Sequence, residues 1–206
     1  MGPFRDLLRR HWLRWDESFP DLAATVRLGE GELIALEAHF VLLTEWNQRL
    51  NLSAVRDSEE IVVRHFCESL ALASVLPSVG TVVDLGSGAG FPGVPLAVVR
   101  PACQVSLVES DIKKAVFLRE ASLGLANVRV LRARGEELAE RTDWLVSRAV
   151  AWRDVRRVTL RSAGSAVLLV SGAQVADIAA DSLFSVASRF PLPWSRQSEV
   201  IVLAAR

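Results

Sequence analysis

Lysine is nearly absent from this chain. Lys113 and Lys114 are the only two, and every other cation of fixed charge is arginine. Arginine suits planar, two-pronged contact with a phosphate or a base edge, where lysine offers a point charge. A surplus of either sign is also missing. The formal net charge is zero, so no global field draws the chain onto a polyanion, and any nucleic-acid binding must come from a local patch. Cysteine is scarce. Cys67 and Cys103 form no CxxC pair, and no histidine stands at metal-ligand spacing from either. They read as small buried hydrophobes in a reducing compartment, and no metal is expected. No apolar run approaches the roughly 18 residues of a membrane span. Met1–Trp15 is charged throughout and has no apolar stretch of the kind a secretory leader needs. The expectation is a cytoplasmic monomer with no membrane attachment. Internal repeats and low-complexity tracts are lacking as well.

Half of the residues are hydrophobic, which is ample for a sizeable core. Their periodicity divides the chain in two. From Phe4 to about Leu76 it is helical. Leu7, Leu8, Trp12 and Trp15 fit one face of a first helix, and Leu33, Leu36, Phe40, Leu43 and Trp46 fit one face of a second. Asp57 with Glu60 resembles a capping box opening a third, which runs through Ile61, His65, Phe66 and Leu70 toward Pro77. From Thr81 onward short apolar runs alternate with helical stretches. Strands are expected at Thr81–Leu85, Gln104–Glu109, Val128–Leu131, Trp144–Ser147, Ala166–Val170 and Glu199–Ala204. Helices are expected at Pro92–Val99, Ile112–Leu123, Val155–Arg161 and Ala173–Leu183. Strand and helix in repetition mean an α/β fold with a mostly parallel sheet covered on both faces. The last strand follows Pro191 and Pro193 and is expected as an antiparallel edge. The predicted organisation is a helical extension over residues 1–78 and a Rossmann-like domain over residues 79–206.

Doubly wound sheets bind ligands at the carboxyl ends of their strands. The first strand here ends in Asp84-Leu85-Gly86-Ser87-Gly88-Ala89-Gly90-Phe91-Pro92-Gly93, with Pro92 placed to open a helix. Gly88, Gly90 and Gly93 satisfy GxGxxG, so a dinucleotide cofactor competes with S-adenosylmethionine. A pyrophosphate would use bare helix N–H groups, one of which Pro92 deletes. S-adenosylmethionine carries an ammonium and a sulfonium, and the Asp84 carboxylate beside open glycine backbone suits such a cation. Glu109, ending the second strand, can accept both ribose hydroxyls of either cofactor.

Several segments carry a family resemblance: WNQRLNLSAV (Trp46–Val55), HFCESL (His65–Leu70), VDLGSGAGFPGVPLAVVRP (Val83–Pro101), LVESDIKKAVFL (Leu107–Leu118), RGEEL (Arg134–Leu138) and SRAVA (Ser147–Ala151). Across roughly residues 40 to 170 the chain resembles the RsmG (GidB) family of bacterial 16S rRNA guanine-N7 methyltransferases. The resemblance implies a Rossmann-like S-adenosylmethionine-dependent methyltransferase sheet, mostly parallel with an antiparallel last strand, behind an N-terminal helical extension. It implies that Gly86 and Phe91 line the cofactor cleft, that Glu109 takes the ribose and that Gly135 and Glu136 sit beside the adenine. It places Arg148 at the methyl-transfer end as the candidate catalytic residue, near cofactor or RNA. The implied partner is 16S rRNA or the 30S subunit, and the implied acceptor is a guanine in the helix 18 loop. The family usually has Asp where Glu68 stands, Ala or Val at Gly135, and Lys-Gly where this chain has Ser171-Gly172.

Guanine N7 carries a lone pair and no proton, so its methylation needs placement rather than a general base. The lack of an obvious His/Asp dyad agrees with that. His65 reads as a structural histidine. Arg148 would contact O6, a phosphate or the methionine carboxylate; its bland alternative is a salt bridge to Asp143 or Glu109. Between Arg129 and Arg161 nine arginines stand against five acids, a candidate rRNA surface, with Trp152 as a candidate for base stacking. Two other readings stay open: a methyltransferase for a different RNA, a protein or a small molecule, and a non-catalytic module that binds nucleotide or RNA.

Overall fold

The computed structural model describes residues 3–206. Met1 and Gly2, the start of the expected extension, lie outside the described residues. The order is α1 (Pro3–Ser18), α2 (Pro20–Ala23), α3 (Glu30–Trp46), α4 (Ser58–Ile61), a π-helical segment (Val62–Cys67), α5 (Glu68–Ser74), β1 (Gly80–Leu85), α6 (Gly93–Val99), β2 (Cys103–Val108), α7 (Ile112–Ala121), β3 (Val128–Leu131), a 3-10 turn (Gly135–Glu137), β4 (Trp144–Arg148), α8 (Trp152–Val158), a second π-helical segment (Thr159–Ala163), β5 (Ser165–Ser171), α9 (Gly172–Ala179), β6 (Phe184–Pro191) and β7 (Ser198–Ala205).

The seven strands lie in the order β3-β2-β1-β4-β5-β7-β6. The first five are parallel, and β7 runs antiparallel to both β5 and β6. Each expected strand is present within a residue or so at either end. β7 is not the edge, however. It is held on one side by β5 and on the other by β6, a strand absent from the expectation. In Phe184–Pro191 only Phe184 is buried, and an edge strand with one wet face carries little apolar signal. The expected third helix is a single run made of α4, the π-helical segment and α5. The side chain of Asp57 accepts the Glu60 N–H at 2.8 Å, which is half of the expected capping box.

Alternate residues of each strand face opposite sides of the sheet. Val82, Val105, Leu107, Val146, Val167, Leu169 and Val200 pack against α6, α7 and the N-terminal helices. Val83, Leu85, Val108, Leu145, Leu168, Val170 and Leu203 pack toward α8 and α9. The first of these two cores runs without a break from Phe4 and Trp15 to the sheet. The boundary near residue 78 therefore marks a change of secondary structure and not a separate core. Phe66 is the junction. It is fully buried, with ring centroids 5.0 Å from Phe4, 5.4 Å from His39 and 5.1 Å from Phe91. Both cysteines are buried, as expected.

Because one core spans both regions, urea is expected to unfold the chain in a single cooperative transition followed by far-UV circular dichroism and tryptophan fluorescence alike. Phe66→Ala is expected to lower its stability by about 3–5 kcal/mol. Two separated transitions in the wild type would contradict the shared core.

Candidate active site

The turn after β1 is shaped by its backbone. Gly86 has φ +73°, and a Cβ there would meet Val150 Cγ2 at 2.6 Å, so a side chain fits neither the conformation nor the space. The Gly86 and Ser87 N–H groups donate to the Val108 carbonyl at 2.9 and 3.0 Å, tying the turn to β2. The first helical residue is Gly93, one later than expected, and Pro92 precedes it. The Gly93 N–H donates to Asp84 Oδ2 at 3.0 Å, across a gap that a Cβ on Gly93 would fill at 2.5 Å from that oxygen.

Asp84 braces the turn from within. It is fully buried and is not among the residues that line the cavity beside Glu109. Its second oxygen, Oδ1, has no hydrogen-bond partner among the described residues. Burial outweighs the hydrogen bonds from Ser87 and Gly93 and raises its carboxyl to about 7.

Glu109 follows β2 and is 9 % exposed. Its Oε2 accepts the Gly88 N–H at 3.0 Å and its Oε1 accepts the Asp111 N–H at 2.8 Å. Each oxygen keeps a lone pair for a further donor. Glu109, Gly86, Gly135 and Glu136 line one cavity of about 490 Å³, together with Val150, Arg153, Asp154 and Arg157. Gly88 stands at its edge through its bond to Glu109. The cavity lies at the carboxyl ends of β1 and β4, where strand order reverses, which is where doubly wound sheets hold ligands. A larger groove of about 760 Å³ lies near the opposite ends of the strands, by Thr81, Gln104 and Thr142, and contains none of the expected site residues.

Phe91 and Arg148 form a second group with Asp84 on the other side of the turn. Phe91 is stacked between two histidines, with centroids 4.6 Å from His39 and 4.8 Å from His65. His39 Nε2 donates to the Ala89 carbonyl inside the turn at 2.9 Å. Burial lowers His39 to about 4 and His65 to about 3, so both are neutral at pH 7. Arg148 has its Cζ 5.5 Å from the Phe91 centroid, donates to the Arg64 carbonyl, and has Nη1 3.7 Å from Glu68 Oε2. Its ionic partner is thus Glu68, not Asp143, which accepts from Thr81, and not Glu109. Burial raises Glu68 to about 7 against the pull of Arg148 and Arg64. The next residue, Ala149, has φ +62°, a left-handed conformation that alanine rarely adopts and that clusters at functional sites.

Sequence reading missed the roles of His39, Glu68 and Val150. Each acts by packing across elements, and spacing along the chain gives no sign of that. The arginine-rich stretch also proves less free than its count implies. Arg129 pairs with Glu140, Arg156 with Asp181 and Arg157 with Glu136 and Asp154, while Arg161 donates to the carbonyls of Gly135, Glu136 and Leu138. Trp152 is half-buried and packs edge-on against Phe184, with centroids 5.1 Å apart.

A five-stranded parallel sheet extended by an antiparallel β7 between β5 and β6 departs from the all-parallel dinucleotide order. With a glycine turn after β1 and an acid after β2, it defines a Rossmann-like methyltransferase fold. Solved structures agree on the fold. A ribosomal protein L11 methylase from Lactobacillus delbrueckii subsp. bulgaricus matches with TM-score 0.57 and 11% identity, over 69% of this chain and 79% of that one. A SAM dependent methyltransferase from Aquifex aeolicus matches with TM-score 0.51 and 15% identity, over 62% and 82%.

The family is narrower. The model of the family described as rRNA small subunit methyltransferase G (GidB) matches residues 33–182, and the chain belongs to that family. The ribosomal RNA small subunit methyltransferase G of Xylella fastidiosa (strain M23) is 49% identical over 117 residues, 56% of this chain and 55% of the relative. That of Xanthomonas axonopodis pv. citri (strain 306) is 46% identical over 143 residues, 64% of this chain and 66% of the relative. The chain thus spans between about half and two thirds of the length of these relatives.

The raised Asp84 carboxyl has a measurable consequence. An unfolded aspartate titrates near about 3.9, whereas the folded one holds its proton to about 7. The folded state binds the extra proton between those values, so this group's contribution to stability is present at low pH and is lost as pH rises through that window. Asp84→Asn keeps an oxygen for the Gly93 N–H and removes the titration. Its urea midpoint is expected to change less than that of the wild type between about pH 4 and 7. Because Glu68 titrates in the same direction, Asp84→Asn/Glu68→Gln is expected to flatten the profile further. Profiles identical to the wild type would count against this reading of both carboxyls.

Proposed function

We propose that this chain binds S-adenosylmethionine in the cavity between Gly86, Glu109 and Gly135 and transfers its methyl group to N7 of a guanine in the helix 18 loop of 16S rRNA, free or within the 30S subunit. The observation that carries the reading is the Glu109 carboxylate. It is fixed by two backbone N–H groups at the mouth of a cavity that opens where the strand order reverses. A carboxylate so held offers its remaining lone pairs to a pair of vicinal hydroxyls. Gly86 leaves bare backbone beside it, which allows a ligand to approach closely. Gly135 and Glu136, on the far wall, sit where an adenine would lie if Glu109 holds the ribose. Asp84 acts indirectly, by holding the turn in shape.

When bound, S-adenosylmethionine supplies a methyl group activated by its sulfonium. The protein has to hold the acceptor in line with it. Guanine N7 needs no deprotonation, so no general base is required, and placement is the main resource. Both histidines nearest the turn are buried and neutral, and they serve as packing for Phe91. Arg148 has one nitrogen on the Arg64 carbonyl and near Glu68, and the N–H groups left over are donors for the O6 of a guanine or for a phosphate. An Arg placed on N7 itself would block the reaction.

A second reading keeps the cofactor and changes the acceptor to a different RNA, a protein or a small molecule. It is favoured by Ser171, which caps α9 with Gln174 where the family usually carries a lysine. The test uses labelled S-adenosylmethionine with under-methylated 30S subunits and with free 16S rRNA. Label at a helix 18 guanine is the expected result, and label only on other acceptors would select the second reading. Glu109→Gln is expected to raise the dissociation constant for S-adenosylmethionine roughly tenfold to a hundredfold in calorimetry, the loss of about 1.5–3 kcal/mol of charged hydrogen bonding. Unchanged affinity would remove Glu109 from the site.

A further inference from the structure

We propose that the cavity at the end of α3, walled by Glu45, Trp46, Gln48, Arg49 and Leu50, is a subsite for one unpaired nucleotide of an RNA whose target base lies at the methyl-transfer cleft. The proposal rests on the RNA-methylating reading and adds a place where a flanking nucleotide is gripped.

The cavity holds about 460 Å³, close to the about 490 Å³ of the cleft assigned to an adenosine-bearing cofactor. Its aromatic wall is Trp46. The indole stands edge-on to the buried Phe117 ring, with centroids 5.5 Å apart and planes at 67°, so its place is fixed while part of it stays exposed. Unpaired bases are recognised by stacking on such faces, and guanidinium planes beside them add to it. Arg49 and Gln48 are exposed in the same wall. Gln48 offers a donor and an acceptor to a base edge, and Glu45 offers an acceptor to a base N–H.

The turn that forms this wall is rigid. Asn47 is buried, its Oδ1 accepts from the Leu52 and Ser53 N–H groups at 3.0 Å each, and its Nδ2 donates to the Ser53 carbonyl at 3.0 Å. Arg56 clasps the turn from outside through the Asn47 carbonyl and Asn51 Oδ1. Rigidity reduces the entropy lost when a ligand orders the wall.

The turn also leads to the acceptor side of the cleft. Ser53 Oγ lies 2.7 Å from His65 Nε2, and His65 stacks on Phe91, beside Arg148. On the other flank, α7 carries Lys113 and Lys114 one helical turn before Phe117, and their backbone N–H groups are fixed by Asp111. Among the described residues neither lysine nor Arg49 has a carboxylate within 4.0 Å, whereas Arg129, Arg156 and Arg157 do. These three cations therefore remain available to phosphates, which favours RNA over a protein partner for this wall.

The full chain is photo-cross-linked to a single-stranded oligoribonucleotide carrying 4-thiouridine on either side of a guanine, and the cross-links are mapped by mass spectrometry. Binding of the same RNA is followed by fluorescence anisotropy over a salt series. A cross-link within Glu45–Leu50 is expected. Trp46→Ala is expected to weaken RNA binding about tenfold or more, with Trp46→Phe near the wild type. Since Trp46→Ala also removes packing from Phe117, the exposed Arg49→Gln is decisive. It is expected to weaken binding several-fold and to reduce the salt slope by about 0.7, with S-adenosylmethionine affinity unchanged. Wild-type binding by Arg49→Gln together with no cross-link in Glu45–Leu50 overturns the subsite. Methyl transfer to rRNA by the same preparation judges the broader reading separately. Methylation with no subsite sinks the inference alone, and a cross-linked subsite without methylation sinks the reading alone.

Discussion

The hydrogen bond from the Gly93 N–H to the buried Asp84 carboxyl is the contact on which the rest of the site depends. It joins the last turn of β1 to the first turn of α6 and so sets how far the intervening glycine loop reaches. The loop is then closed from three directions: by the Val108 carbonyl under Gly86 and Ser87, by Glu109 on Gly88, and by His39 on Ala89. Only Gly93 lets the carboxyl come this close, since a Cβ would stand 2.2 Å from Leu107 Cδ2. The contact places an ionisable group in an apolar interior, where the charged form is disfavoured. A carboxyl kept there for packing alone would be a poor choice against an apolar residue of similar size. Its use is to give a defined acceptor to a helix N-terminus whose donors face the turn.

The helical layer that precedes the sheet is part of the same construction. His39 on α3 and His65 on the π-helical segment hold Phe91 between them, and Glu68, at the join of that segment with α5, meets Arg148 from β4. A π-helical turn re-aims the side chains that follow it and is found at functional sites more often than elsewhere. Here it delivers His65 to the turn and Glu68 to the arginine within four residues. The layer therefore fixes the Phe91 and Arg148 side of the turn, while β2, β3 and the 3-10 turn fix the side that bears Glu109 and the cavity beside it. Phe91 and Asp84 stand between the two.

Much of this was legible along the chain. Alternation and helical spacing gave the elements of the sheet because buried parallel strands are apolar runs with little else in them. β6 was illegible for the opposite reason, since its wet face looks like loop. The glycine turn after β1 and the acid after β2 are legible as structural features because close backbone approach demands particular residues at particular places. The bracing contact of Asp84 with the helix terminus is not legible. A carboxylate beside glycines looks the same in sequence whether it faces a ligand or a helix terminus, and only its burial distinguishes them. The arginine-rich stretch was over-read likewise, because counting charges along the chain cannot see Glu140, Asp181 and Glu136 folding back onto them.

That last point constrains how the chain would hold RNA under the proposed function. With zero net charge, and with Arg129, Arg156 and Arg157 of the arginine-rich stretch paired to carboxylates within the fold, long-range attraction is weak, so affinity would not come from a diffuse basic face. Under that proposal it would come from a few contacts already in place before the RNA arrives, where little ordering entropy remains to be lost. The turn from Trp46 to Ser53 meets that requirement. Its backbone is tied from within by Asn47 and from outside by Arg56, its ring is seated on Phe117, and Arg49 stands in its wall. Its far end touches the histidine that packs on Phe91, so a nucleotide held in the turn and a base held at Arg148 would belong to one rigid frame. For an acceptor atom that needs no proton removed, such a frame supplies what the reaction requires: a fixed line of approach.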